Sequence, residues 1–341
     1  MRLRAIRSVL LRRLTLLAGA IIFIVLLVTA LYILPGGSVP PPPASGLNPA
    51  DTPPLVTPDP QDPGSKLPGV VAAVVDNKAQ ARPQSGLDRA DLVVEMMAEG
   101  GITRYLAFFY SQAASTIGPI RSARPYFAEI AKAYKAPLAH AGGSVETINH
   151  LRTLTVPSID EINNAGRAFW RDPARNMPHN LYTSTELLLA EAQHKRYPLH
   201  PLPKRPEGSM PVGESAPKVL TSYSPEYKVE WRWSEGVYHR YINGAPHTMR
   251  DGTAITVRNV VFIAAPHRQL ATDAAHTVID IIGTGTAWFL RDGQLHRGTW
   301  AKDSPEGHFN FTVNGADYLY SPGNTWIQIV TAIAKVSIVA E

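Results

Sequence analysis

The chain of 341 residues contains no cysteine. That absence excludes disulfides, thiol nucleophiles, cysteine-ligated zinc and a lipid-modified N-terminal cysteine. It says nothing of the redox compartment. Net charge is also small once the first residues are set aside. The formal total is +5, and Arg2, Arg4, Arg7, Arg12 and Arg13 precede any acidic residue. Those five arginines equal the excess, so the remainder is near neutral and no nucleic-acid partner is expected. No His-x-x-x-His or His-Glu-x-x-His spacing occurs, so neither a metal site nor a cofactor is expected. A Gly-x-Ser-x-Gly nucleophile elbow is missing as well.

What is present begins with one long apolar run. Leu14 to Leu34 is uncharged, interrupted only by Thr15, Gly19, Thr29 and Tyr32. A membrane-crossing helix needs about 20 such residues. The basic segment 1–13 ahead of it sets the N-terminus in the cytoplasm. A cleaved signal peptide ending near Val28-Thr29-Ala30 is the competing reading, but signal cores run only about 7–15 residues. The run therefore predicts an uncleaved single-pass anchor in the cell membrane at 14–34, with the globular part extracytoplasmic. From Pro35 to Pro63 proline dominates, including Pro40-Pro41-Pro42-Pro43. Such a segment favours extended polyproline II and buries little, so 35–66 reads as a disordered, semi-rigid stalk.

Beyond the stalk the pattern is α+β. Val70–Val75, Leu87–Ala98, Thr103–Tyr110 and Pro137–Ala141 read as strands. Pro125–Tyr134, Ser144–Leu151 and Thr183–His194 read as helices, the second capped by Ser144. The segment 67–198 is thus expected to be an α/β-type domain with a mixed sheet and flanking helices. Proline- and glycine-rich 199–218 reads as a linker. After it, period-two alternation (Lys228–Trp233, Tyr238–Tyr241) and the turn pairs Asn243-Gly244, Asp292-Gly293 and Asn314-Gly315 predict a β-rich domain over 219–341.

Chemistry-bearing residues concentrate between Ala81 and Ser184. Arg82, Arg104, Arg121, Arg124, Arg171 and Arg175 each lie next to a Gly or Pro or within a few residues of one. A guanidinium offers a permanent charge and a planar fork suited to carboxylate or phosphate. The bland reading pairs these arginines with acids such as Glu95, Glu99 and Asp172. His140, in His-Ala-Gly-Gly-Ser, and His179, in Pro-His-Asn, are candidate bases, and Ser144 is a helix cap before it is a nucleophile. The expected ligand-binding set is Glu99, Arg104, Arg121, Arg124, His140, Ser144, Arg171, His179 and Asn180. No catalytic residue is assigned.

The succession ARPQSGLDRADLVVEMMAEGGITRYLAFF, IGPIRSARPYF, HAGGS and FWRDPARNMPHNLYTS, with Leu319–Val330 near the end, resembles the bacterial YerB-like family. The likeness spans about Leu67 to Ile338. It implies an extracytoplasmic, membrane-attached protein with an α/β N-terminal and a β-rich C-terminal domain. Many members look like lipoproteins; this chain, without cysteine, departs from them and must rely on its apolar run. The family brings no activity and no catalytic residues. The expected function is a non-catalytic envelope module binding an anionic ligand, wall polymer or partner protein. The alternative is an envelope-polymer hydrolase or transferase using His140 or His179, with the arginines as substrate clamps.

Overall fold

The computed structural model describes residues 66–270 and 273–339. The basic segment 1–13, the expected anchor 14–34 and the proline-rich stretch 35–65 lie outside the described residues. Among those described, no helix is long and apolar enough to cross a membrane.

The first half supplies β1 (Val71–Asp76), β2 (Leu92–Met97), β3 (Thr103–Phe109), β4 (Leu138–His140) and β5 (Ser158–Asp160). Its helices are α1 (Pro125–Ala133), α2 (Val145–Thr153) and α3 (Thr185–His194). Helix α1 starts with Pro at N1, where a missing N–H costs nothing, and buries Tyr126, Phe127, Ile130 and Ala131. The short β5 carries too little periodicity to be read from the sequence. The second half supplies β6 (Lys218–Ser224), β7 (Tyr227–Ser234), β8 (Val237–Ile242), β9 (Asn259–Ala264), β10 (His267–Leu270) and β11 (Asp273–Ile279). It continues with β12 (Gly283–Arg291), β13 (Gln294–Lys302), β14 (Asn310–Val313), β15 (Thr325–Val330) and β16 (Val336–Val339). Asn243-Gly244, Asp292-Gly293 and Asn314-Gly315 all take positive φ, as two-residue hairpin turns require.

The two halves share one sheet. Its twelve strands run 316–317, β14, β13, β12, β9, β15, β2, β3, β1, β4, β5, with 214–215 on β13. The joint is β15, whose six residues are all buried and which pairs in parallel with β9 on one side and β2 on the other. The 199–218 connection is docked along this body. Val70 donates to the His200 carbonyl, Tyr320 to that of Pro206, and Gly208 to that of Tyr320.

A second, six-stranded sheet (245–246, β8, β7, β6, β16, with 256–257 on β8) covers one face. Val93, Tyr105, Val260 and Trp326 of the large sheet pack there with Trp231 and Tyr238 of the small one. The other face packs Ala72, Val94, Leu106 and Phe108 against Tyr126, Phe127 and Ile130 of α1 and Leu151 of α2. Alternate residues of one strand thus serve two cores, which is why β1–β3 read as nearly continuous apolar runs.

Candidate functional site

Strands β1, β4 and β5 are parallel, so their C-terminal ends share one edge, and α1 and α2 both begin at that edge. In open α/β sheets this is where ligands bind. The segment 121–123 straddles it. Arg121 N donates to the Val74 carbonyl, Ala123 N to that of Gly142, and Ala141 N to that of Arg121. Gly142 turns the chain at φ 65°, and a side chain there would strike Ile162.

Asp76 ends β1 and sits in register with Arg104 on β3. Its Oδ2 accepts from His179 Nδ1 at 2.7 Å and lies 3.2 Å from Arg121 Nε. Its Oδ1 accepts from Lys78 N. Beside it, Glu99 Oε2 takes Arg104 Nη2 at 3.0 Å, and Glu99 Oε1 takes Arg124 Nε. Arg104 Nη1 also donates to the Ser122 carbonyl. Three guanidinium groups and His179 therefore share two carboxylates, Asp76 and Glu99.

The electrostatics follow from that imbalance. Burial lifts the Glu99 carboxyl, but the Arg124 hydrogen bond and the charges of Arg104 and Arg124 outweigh it, leaving Glu99 below its usual range. Burial, then the like charge of Arg124, pushes Arg104 down to about 10. It remains a cation at neutral pH, poised for an added anion.

Not every expected residue joins this cluster. Arg171 and Asn180 lie at its margin, where Arg171 reaches Glu161 at 2.9 Å and Asn180 Oδ1 at 3.1 Å. His140 is a correction. It is 0% exposed, and both ring nitrogens are committed: Nδ1–H donates to the Gly142 carbonyl and Nε2 accepts from Ser158 Oγ. Burial holds it below the ordinary histidine range, against the pull of Asp160, so it is a neutral core strut, closed to any ligand. Ser144 is also separate, its Oγ accepting from Thr147 N at the start of α2. Ser144→Ala should therefore cost about 1 kcal/mol of stability in a thermal or urea melt and leave anion binding intact. Arg82 and Arg175 brace the 77–83 loop instead: Arg82 donates to Asn77, and Arg175 to the carbonyls of Ala81 and Pro83.

Sequence reasoning missed a larger buried constellation between the sheets. Glu95 and Arg240 pair at 2.8 Å with both side chains 0% exposed. Glu95 also accepts from Thr103, Tyr227, Trp326 and Gln328. Arg240 Nη1 donates to His247 Nδ1, His247 Nε2–H donates to Gln84, and Gln84 Nε2 donates to the Asp76 carbonyl. The backbone of Asp76 is thus moored to the inter-sheet layer. An acid in the apolar run of β2 and an arginine in the alternating Tyr-His-Arg-Tyr of β8 were the only signals, and they lie in different halves.

Among the described residues, no three His, Asp or Glu side chains are grouped to hold a metal. A cleft of about 860 Å³ opens at the other end of β1–β3, among Lys66, Asp91, Tyr110 and Asn324. The arginine cluster is mostly buried, with Arg121 and Glu99 its more exposed members. For an anion site, the charge arrangement is the more relevant signal than the volume.

Two family models match, described as the N-terminal and C-terminal domains of "Protein of unknown function (DUF3048)", over residues 56–198 and 219–327. The chain is 32% identical over 278 residues to "Putative lipoprotein YerB" of Bacillus subtilis, covering 79% of this chain and 83% of that protein. It is similar to the crystal structure of YerB from Bacillus subtilis, with a TM-score of 0.74 and 30% identity over 80% of this chain and 94% of the other. By both segments and by fold, the chain belongs to the DUF3048 family of YerB-like proteins.

Proposed function

We propose that this chain is a membrane-attached, extracytoplasmic envelope protein that holds an anionic group at the arginine edge without transforming it. One observation carries the reading: Arg104, Arg121, Arg124 and His179 converge on two carboxylates, so the edge has spare positive charge. The lipoprotein name of the Bacillus relative supports attachment to a membrane. Here the residues 14–34 would provide it, since there is no cysteine to acylate. A wall polymer or an envelope partner bearing phosphate or carboxylate fits such a site. The hydrolase or transferase alternative loses support at His140, which has no free nitrogen, and at Ser144, which is spent on its helix, and keeps only His179, held through Nδ1 by Asp76, as its base.

Inorganic phosphate is the simplest probe. Titrated into the full chain, it should move the side-chain NMR signals of His179 and Arg121 and leave those of His140 in place. Signals that stay unmoved at His179 and Arg121 would remove the proposal.

A further inference from the structure

We infer that the cleft at the other end of β1–β3 is a second binding site, shaped for an acidic oligosaccharide. The inference stands independently of the arginine edge, which lies a strand length away, about 20 Å for six residues.

The cleft has a volume of about 860 Å³, at the large end of the range for ligand pockets. Its walls are already fixed. Asp91 Oδ2 accepts from Tyr110 N at 2.7 Å and Ser111 N at 3.0 Å. Asn324 donates to the Thr256 carbonyl and accepts from Arg258 N. Arg205 lies over the Tyr320 ring and donates Nη2 to the Gly323 carbonyl at 3.0 Å. A ligand would meet preset groups and would not have to order them.

Its charge is unevenly spent. The Asp91 carboxylate is used by two backbone amides, and Asp88 lies 3.1 Å from Arg89. Lys66, Lys204 and Arg205 have no carboxylate partner among the described residues, and the one lining acid likewise without a cation there, Glu207, leaves a surplus of two positive charges. A carboxylate on the ligand would supply these cations with the countercharge they lack.

The remaining lining selects between polymers. Its apolar members are Ala90, Ala254, Leu202, Pro203 and the ring of Tyr110, too few to form the side-chain pockets that give peptides their specificity. Planar amides and guanidinium groups, such as the exposed Gln112 and Arg89, 3.1 Å apart, instead suit ring hydroxyls and a ring carboxylate.

The test uses the full chain in detergent, with a uronic-acid hexasaccharide as probe, followed by calorimetry. A neutral glucose hexasaccharide and hexaglutamate are run beside it. The acidic sugar should bind, and Lys204→Gln with Arg205→Gln should weaken it at least tenfold. Arg121→Ala with Arg124→Ala should leave it unchanged, which separates this site from the arginine edge. Lys66→Gln, at the start of the described fold, gives the same readout with less risk to folding. Equal binding of the neutral sugar, tighter binding of hexaglutamate, or indifference to both sets of cleft variants would overturn the assignment.

Discussion

Arg240→Ala should lower the unfolding free energy by about 3–5 kcal/mol. The cost comes less from the lost ion pair than from what remains. Glu95 stays 0% exposed, still surrounded by the hydroxyls of Thr103 and Tyr227 and the indole of Trp326, with no countercharge. Domain stabilities run about 5–15 kcal/mol, so the loss is a third or more of the total. Replacing both partners is no remedy here, because an apolar residue at 95 would orphan four further donors. Urea unfolding followed by tryptophan fluorescence is the natural measurement, since Trp231 and Trp326 lie against Arg240. Arg232→Ala, whose side chain is 41% exposed, should change stability by no more than about 0.5 kcal/mol. A similar small change for Arg240 would refute the account. His247 adds a pH signature. Burial, then the charges of Arg240 and Arg82, holds its folded pKa well below 6.5. Below about pH 6.5 the unfolded chain gains a proton that the folded chain refuses, so stability should decline as pH falls.

Arg121→Ala with Arg124→Ala should weaken phosphate or sulfate binding about 100-fold. Each charge-assisted hydrogen bond is worth about 1.5–3 kcal/mol, and two removed donors span that factor even with partial compensation. The pair is a clean probe because neither carboxylate loses all its donors: Glu99 keeps Arg104, and Asp76 keeps the hydrogen bonds of His179 and Lys78 N. Stability should therefore fall much less than in Arg240→Ala. Sulfate, which keeps its charge in acid, extends the test. Glu99 titrates below its usual range, so its contribution to stability is present above the unfolded carboxylate pKa and is lost as pH falls through the lower folded value. Over that same fall, Arg104 and Arg124 are released from Glu99 and sulfate should bind more tightly. Sulfate affinity that ignores both the double variant and the acid limb would exclude the arginine edge as an anion site.

Much of the local structure was legible because it is written in short-range chemistry. The apolar runs of β1 and β3, the Asn-Gly and Asp-Gly hairpins and the Ser144 cap each lie within a few residues of their signal. Of the candidate site, the sequence yielded Arg121, Arg124 and Glu99 as residue types at turns, Arg104 near the start of a strand, and His179 in a Pro-marked loop. Their convergence was hidden, since it depends on the register that sets Asp76 opposite Arg104. His140 misled for a physical reason: a histidine at the end of a buried strand looks the same in sequence whether its nitrogens face solvent or a carbonyl. The Glu95–Arg240 pair was invisible because it spans 145 positions. Likewise, the linker reading of 199–218 rested on proline and glycine content, which does not show that the segment's backbone groups find partners on the sheet.

The position of β15 also constrains how the protein is made. Trp326 meets Glu95 across 231 positions, so the edge of β2 waits for its neighbour until nearly the whole chain has been synthesised. An unpaired apolar strand edge is a template for wrong partners, and such long-range closure is slow. A nascent chain carrying only the first family segment would hold that edge open, and the second segment alone would lack the strand that flanks β15. Neither segment should therefore be a viable product of truncation. The emerging polypeptide needs protection from self-association until its last strands arrive.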